Sequence, residues 1–126
     1  MSDSRLAELL EQARPRAEAL CARLEAEIRK LGFPESENRP RPLFSEAVFQ
    51  IVRDPFSGDD NLHGTWHGSH GYRVGGIQLH GDGTFYAEFD VGEPHPTDKR
   101  WFVEGVTAWG RDDVIKGEPK LLAAMG

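Results

Sequence analysis

The predicted fold rests on YRVGGIQLHGDGTFYAEFDV, residues 72–91. Apolar and polar side chains alternate on both sides of Gly81-Asp82-Gly83, as they do in half-buried β-strands. An Asp-Gly turn between two alternating runs is a strong signal for a β-hairpin. Pairing of His80 with Thr84 across the turn sets the register. The resulting pairs are Leu79 with Phe85, Ile77 with Ala87 and Gly75 with Phe89.

A third strand, WFVEGVTAW at residues 101–109, is predicted to follow the hairpin. If Val91 pairs with Trp101, Glu88 lies directly opposite Glu104. Like charges in that position repel each other. The helix-facing side of this sheet is then mostly apolar and needs a cover.

The segments on either side of these strands are less clearly patterned. LFSEAVFQIVR, residues 43–53, is compatible with a strand or a helix, and the opposite faces of Val48 and Phe49 favour a strand. Residues 54–61 form a polar loop in this interpretation. The chain is predicted to end in a short strand and a last helical turn that begins at Pro119.

The N-terminal third predicts a helix. Apolar residues recur at steps of three or four from Leu6 to Leu31 and form one stripe. Pro15 lacks the amide that the helix needs, so we expect helices over about 4–13 and 15–31, separate or joined by a kink. The stripe either covers the sheet or meets the helix of a second chain.

Together these elements predict a single α+β domain over residues 1–126. A long, kinked N-terminal helix (1–31) is followed by a Pro-rich linker (32–42). Residues 43–126 form an antiparallel meander sheet of four to six strands with a short C-terminal element. The helix packs on this sheet.

The charge distribution narrows the classes of partner. The chain has a net charge of −6, and all of it lies in residues 43–126. No basic stripe is available to neutralise phosphates, so we predict no nucleic-acid partner. No apolar run approaches the roughly 20 residues that span a bilayer, so we predict no membrane partner. The single cysteine, Cys21, and the charged N-terminus favour the cytoplasm.

The sheet face away from the helix combines carboxylates with aromatic side chains. A fully solvated face is usually more polar, so this face is predicted to line a pocket or to pack on another subunit. Two close carboxylates at Glu88 and Glu104 could share a proton and serve in acid–base chemistry. The candidate ligand-binding residues are Tyr86, Glu88, Phe102, Glu104, His80, Gln78 and, at the rim, Trp66.

Three histidines in LHGTWHGSHGYRVGG, residues 62–76, form the candidate metal site. Neutral imidazoles bind zinc, copper, nickel and iron. On a strand, His63 and His67 share a face and His70 points the other way, so all three converge only across a turn. The alternative is that they are polar strand and loop residues. We therefore predict no cofactor, with a divalent metal at these histidines as the alternative.

One short segment is similar to a known family. Gly64-Thr65-Trp66, followed by the turn Asp82-Gly83-Thr84-Phe85, resembles the opening of lipocalin-like barrels, which carry small apolar ligands. Such barrels have about eight strands. The chain departs from that pattern, because it predicts five or six strands and places a long helix before the motif. We do not assign the chain to that family.

The sequence thus predicts a small binding or interaction module of unknown ligand, rather than an enzyme. It is expected to form a homodimer through the N-terminal helix or the sheet face and to accept a small-molecule ligand. The alternative is a small hydrolase or isomerase with a paired-carboxylate or histidine-centred, metal-dependent site. No phosphate-binding glycine loop, dinucleotide fingerprint or serine-nucleophile motif occurs in the sequence.

Overall fold

The computed structural model describes residues 2–34 and 41–124 and confirms the α+β fold. One helix, α1 (Ser2–Lys30), packs on a six-stranded antiparallel sheet. The strands follow each other across the sheet in chain order. They are β1 (Val48–Arg53), β2 (Asp60–His67), β3 (Arg73–Leu79), β4 (Thr84–Pro94), β5 (Trp101–Arg111) and β6 (Val114–Ala123). Most of the predicted linker, residues 35–40, lies outside the described residues.

The helix α1 runs without interruption through Pro15. Pro15 cannot donate a hydrogen bond to the carbonyl of Glu11, but it lies on the exposed side of the helix. On the opposite side, Ala17, Leu20 and Leu24 are fully buried. Packing of this stripe on the sheet of the same chain therefore outweighs the lost hydrogen bond. In the described part of the chain, no helix is long and apolar enough to cross a membrane.

The core lies between α1 and one face of the sheet. Trp66 is 2% exposed, and its ring meets that of Phe89 edge-on, with 5.7 Å between the centroids. The free thiol of Cys21 is buried in the same cluster. Burial, together with nearby Glu25 and Glu18, raises the pKa of this thiol to about 12. The thiol is therefore protonated and shielded in the folded protein.

The central hairpin has the predicted register. Leu79 pairs with Phe85, Ile77 with Ala87 and Gly75 with Phe89. The turn is closed by the His80 amide, which donates to the Thr84 carbonyl at 2.9 Å. Asp82 Oδ1 accepts from the Thr84 amide at 2.9 Å and the Thr84 hydroxyl at 2.6 Å. Gly83 has a φ of +93°, a conformation that glycine adopts without strain.

The predicted register between β4 and β5 is wrong. Phe89 lies opposite Val106 rather than Val103, and Glu88 lies opposite Thr107 rather than Glu104. The cause is a bulge, in which β4 carries Val91 and Gly92 where β5 carries one residue. Gly92 has the positive φ, +64°, typical of such a bulge.

The tight loop between β4 and β5 also contributes to the difference between the predicted and the observed register. His95 Nδ1 accepts hydrogen bonds from the amides of Thr97 and Asp98 at 3.2 and 3.0 Å. This loop lets the strands pair as far as Pro94 with Phe102. The shift along β5 is an odd number of residues, so the two faces of β5 are exchanged relative to the prediction.

Two further segments also differ from the sequence prediction. Residues Phe44–Glu46 form a 3-10 helix, and only Val48–Arg53 of the predicted strand pairs in the sheet. At the C-terminal end, Pro119 lies inside β6 and does not begin a helical turn. β6 is an edge strand of the sheet, where a residue without an amide hydrogen is tolerated.

Candidate functional site

The sheet face away from α1 is called the open face below. Its side chains alternate with the buried residues Ile77, Ala87 and Ala108, which face α1. One row crosses the whole sheet and consists of Gln50, His63, Gln78, Tyr86, Trp109 and Lys116. The neighbouring row consists of Val48, Thr65, Gly76, Glu88, Thr107 and Glu118. The open face therefore carries both aromatic and charged side chains.

Glu88 is the centre of an ion-pair network on the open face. Its carboxylate accepts hydrogen bonds from Arg73 Nη2 and Lys120 Nζ, each at 3.1 Å. The Tyr86 hydroxyl also donates to it, at 3.2 Å. Gly76 makes room for this arrangement, because a Cβ at that position would lie 2.6 Å from Arg73 Nη2. The space over Glu88 is thus filled by a guanidinium group.

The network keeps Glu88 ionised. Burial on its own would raise the pKa of this carboxyl, but the hydrogen bonds from Lys120 and Arg73 outweigh it and hold the pKa below its usual value. The same contacts raise the pKa of Lys120, chiefly through its hydrogen bond to Glu88. A carboxylate that resists protonation is a poor general acid near neutral pH.

Asp90, rather than Glu104, is the acidic neighbour of Glu88. Burial and then the charge of Glu88 raise the pKa of Asp90. Asp90 pairs with Gly105 across β4 and β5, so no carboxylate stands opposite it either. Glu104 is exposed at the bulge. The predicted pair of facing carboxylates is therefore not formed.

The structure brings His63 close to His80, not to His67 or His70. The rings of His63 and His80 meet edge-on, with 6.4 Å between their centroids. Burial, and then the neighbouring His80, lower the pKa of His63. His80 is held by Thr84 Oγ1 at 2.9 Å and by Gln78 Oε1 at 3.2 Å. His67 and His70 are exposed. Across the described ranges, no group of three or more His, Cys, Asp or Glu side chains could hold a metal ion.

The remaining predicted site residues lie apart from this cluster. Trp66 faces α1, and its indole nitrogen donates to the Leu43 carbonyl at 2.8 Å. It is therefore a core residue and does not border the open face. Phe102 is half-buried near the start of β5, opposite Leu122 of β6. The open face thus gathers Tyr86, Glu88, Gln78 and His80, but not Trp66.

A groove lies between α1 and one end of the sheet. This groove has a volume of about 540 Å³. Its apolar lining includes Leu9, Leu62, Leu79 and Ile115, and its polar lining includes Gln12, Arg16, His80, Asp60, Asp112 and Asp113. Volumes of about 300–1,000 Å³ with an apolar lining and a few polar groups are typical of small-molecule sites.

The comparisons with known proteins identify no relative of the chain. A scan of protein-family models, a search of curated proteins and a search of solved structures each found no match to the chain.

The sequence interpretation missed three side chains of the candidate site on the open face. Arg73 and Lys120 belong to strands on either side of Glu88, and Trp109 stands opposite Tyr86. The available signal was Gly92, because a glycine inside an alternating run suggests a bulge. A bulge at that point moves Trp109 to the open face.

The Glu88 network should contribute measurably to stability. We expect Glu88→Gln to lower the free energy of unfolding at pH 7 by about 1 kcal/mol, because two cations lose their partner. A carboxyl whose pKa is lowered in the folded state stabilises above its unfolded pKa, and this stabilisation is lost as pH falls. Urea denaturation at pH 7 and near pH 3 should therefore show the difference shrinking in acid.

Glu104→Gln is the matched control for that measurement. It removes an exposed carboxylate outside the network and should change stability little. A stabilising effect of either substitution would indicate that the two carboxylates repel each other after all.

Proposed function

We propose that the protein is a non-catalytic binding module that uses the open face as its working surface. The carrying observation is the continuous row from His63 through Gln78 and Tyr86 to Trp109, which no described element covers. Tyr86 and Trp109 lie directly opposite each other and offer aromatic surface. Gln78 and His63 offer hydrogen-bonding groups beside them.

The charges next to this row indicate which ligand class fits. Glu88 and the neighbouring Asp90 balance the charges of Arg73 and Lys120, so the group offers little net charge to an ionic ligand. An uncharged ligand with a flat apolar surface and hydrogen-bonding groups fits this row better. We place the module in the cytoplasm, because its cysteine is a free thiol and thiols are kept reduced in that compartment.

A small-molecule site in the groove between α1 and the sheet is a second candidate function. Its volume of about 540 Å³ and apolar floor support it. A hydrolase or isomerase activity is less well supported. Glu88 is held ionised by two cations, and Glu104 does not face it.

One titration distinguishes the two binding surfaces. Indole and benzamide, as uncharged aromatic probes, are added to ¹⁵N-labelled protein, and amide shifts are followed by NMR. We expect saturable shifts at Gln78, Tyr86 and Trp109, and a loss of affinity of about tenfold in Trp109→Ala, as expected for a lost aromatic contact. Tyr72→Ala is the control, because Tyr72 is 72% exposed in a loop away from this row.

The result has three readings. Shifts confined to Leu79, Ile115 and the helix residues above them would favour the groove as the ligand site. Equal loss of affinity in Trp109→Ala and Tyr72→Ala would contradict the specific role of the open face. Absence of any saturable shift would overturn both binding proposals.

A further inference from the structure

The sheet has two edges, and they differ in how well they are protected. The edge strands of an open sheet expose unpaired backbone N–H and C=O groups, and proteins commonly protect them with lysine or proline. β6 carries Lys116, Pro119 and Lys120 along its length. β1 has the sequence VFQIVR, without lysine or proline. Only the β6 edge therefore carries the usual protection.

The helix also covers β1 less than it covers the strands at the other side of the sheet. α1 contacts mainly β4, β5 and β6. Val48 is 65% exposed, and Gln50 is exposed on the open face. Phe49 and Ile51 are only half-buried on the other face. An apolar strand with a free edge is a template for pairing with another strand.

We infer that β1 pairs antiparallel with β1 of a second copy of this chain, with Gln50 opposite Gln50 at the two-fold axis. Paired residues share a face of the sheet, so the two helices lie on the same side. In this register Val48 lies opposite Val52, and Phe49 lies opposite Ile51. Both faces of the new interface thus match apolar side chains with apolar side chains.

Other registers fit less well. The adjacent register that keeps the faces aligned is centred on Ile51, and it places Phe49 opposite Arg53 and Gln50 opposite Val52. In the Gln50 register Arg53, at the end of β1, lies opposite Ala47 of the second copy, so no charged side chains oppose each other along the paired strands. The stripe of α1 is not needed, because it is already packed on its own sheet.

The pairing would join the two sheets into one and make the two open faces continuous. This inference does not depend on the ligand proposed for the open face, since it rests on the backbone edge of β1. It commits to a second copy of the chain as the occupant of that edge.

A charge exchange at Gln50 tests the register. Wild-type protein should sediment as a dimer at about 100 μM, a range in which small interfaces associate. Gln50→Lys and Gln50→Glu each place like charges directly opposite, and each should weaken the dimer about tenfold or more. An equimolar mixture of the two variants should recover a dimer containing one chain of each, identified by native mass spectrometry.

Lys116→Glu is the control, because Lys116 is exposed in the same row of the sheet but on the β6 edge. It should leave the dimer unchanged, and circular dichroism should show all variants folded. A monomeric wild type overturns the inference. So does a dimer that tolerates both Gln50 variants, or a mixture that fails to associate while both chains are folded. Dimer loss in Lys116→Glu alone would assign the contact to β6 instead.

Discussion

Trp66→Ala should lower the free energy of unfolding by about 3–5 kcal/mol, the usual cost of deleting a large aromatic core side chain. Trp66 is 2% exposed and packs edge-on against Phe89. The substitution also removes the donor to the Leu43 carbonyl, which ties the segment before β1 to the core. Urea denaturation followed by far-UV circular dichroism gives the value directly.

A second substitution at Trp66 separates the loss of packing from the loss of the hydrogen bond, and a substitution at Trp101 serves as the control. Trp66→Phe keeps much of the packing but leaves the Leu43 carbonyl without its donor, and we expect it to cost about 1–2 kcal/mol. Trp101→Ala is the control, because Trp101 is 36% exposed at the start of β5 and should cost less than about 1 kcal/mol. If Trp66→Ala were as mild as Trp101→Ala, Trp66 would belong to a surface rim, as the sequence predicted.

Gly75→Ala should be nearly as damaging, with an expected loss of about 3 kcal/mol from overpacking. A Cβ at Gly75 would overlap the carbonyl oxygen of Glu88 and lie 3.1 Å from the Cα of Phe89. Both are backbone atoms in the middle of the sheet, so they cannot move aside without breaking the pairing of β3 with β4. Thermal and urea unfolding should both report the loss.

The neighbouring Gly76→Ala is the matched comparison. Its Cβ would meet the end of the Arg73 side chain, which can swing away, and its closest backbone contact, at 3.3 Å from the Gly64 carbonyl oxygen, needs only a small adjustment. We expect a loss of less than about 1 kcal/mol, mostly from weakening the contact between Arg73 and Glu88. Both substitutions reduce the freedom of the unfolded chain in the same way, so their difference isolates the steric effect. Equal losses would show that the backbone of β3 can shift.

The central hairpin could be predicted from sequence because its register depends on local information. Three residues, Gly81-Asp82-Gly83, fix the turn, and the alternation on both sides then has one solution. The apolar stripe of α1 was predictable for the same reason, since helical spacing is local.

The register of β4 with β5 depends on more than pattern. One extra residue at the Val91–Gly92 bulge, and a loop held by the His95 side chain, each change the register. Both leave the alternation of the flanking residues intact, so either register looks acceptable in the sequence. A one-residue difference in the count exchanges the faces of β5 completely.

The candidate site could be predicted only where it lies on the central hairpin. Tyr86, Glu88, Gln78 and His80 lie on the predicted hairpin and were placed on the correct face. The partners of Glu88 come from farther away, because Lys120 reaches it from β6 only after two further strands have paired. Long-range pairing of this kind is decided by the whole sheet, which no short stretch of sequence encodes.

The buried thiol of Cys21 has a practical consequence for all these measurements. It lies between α1 and the sheet and is protonated in the folded protein, so a thiol reagent reaches it only when the helix detaches. The chain contains no other cysteine, so every modified molecule records one such opening. The rate of its modification therefore reports the population of molecules with a detached helix when the reagent is dilute, and the opening rate itself when the reagent is concentrated enough to react before the helix recloses.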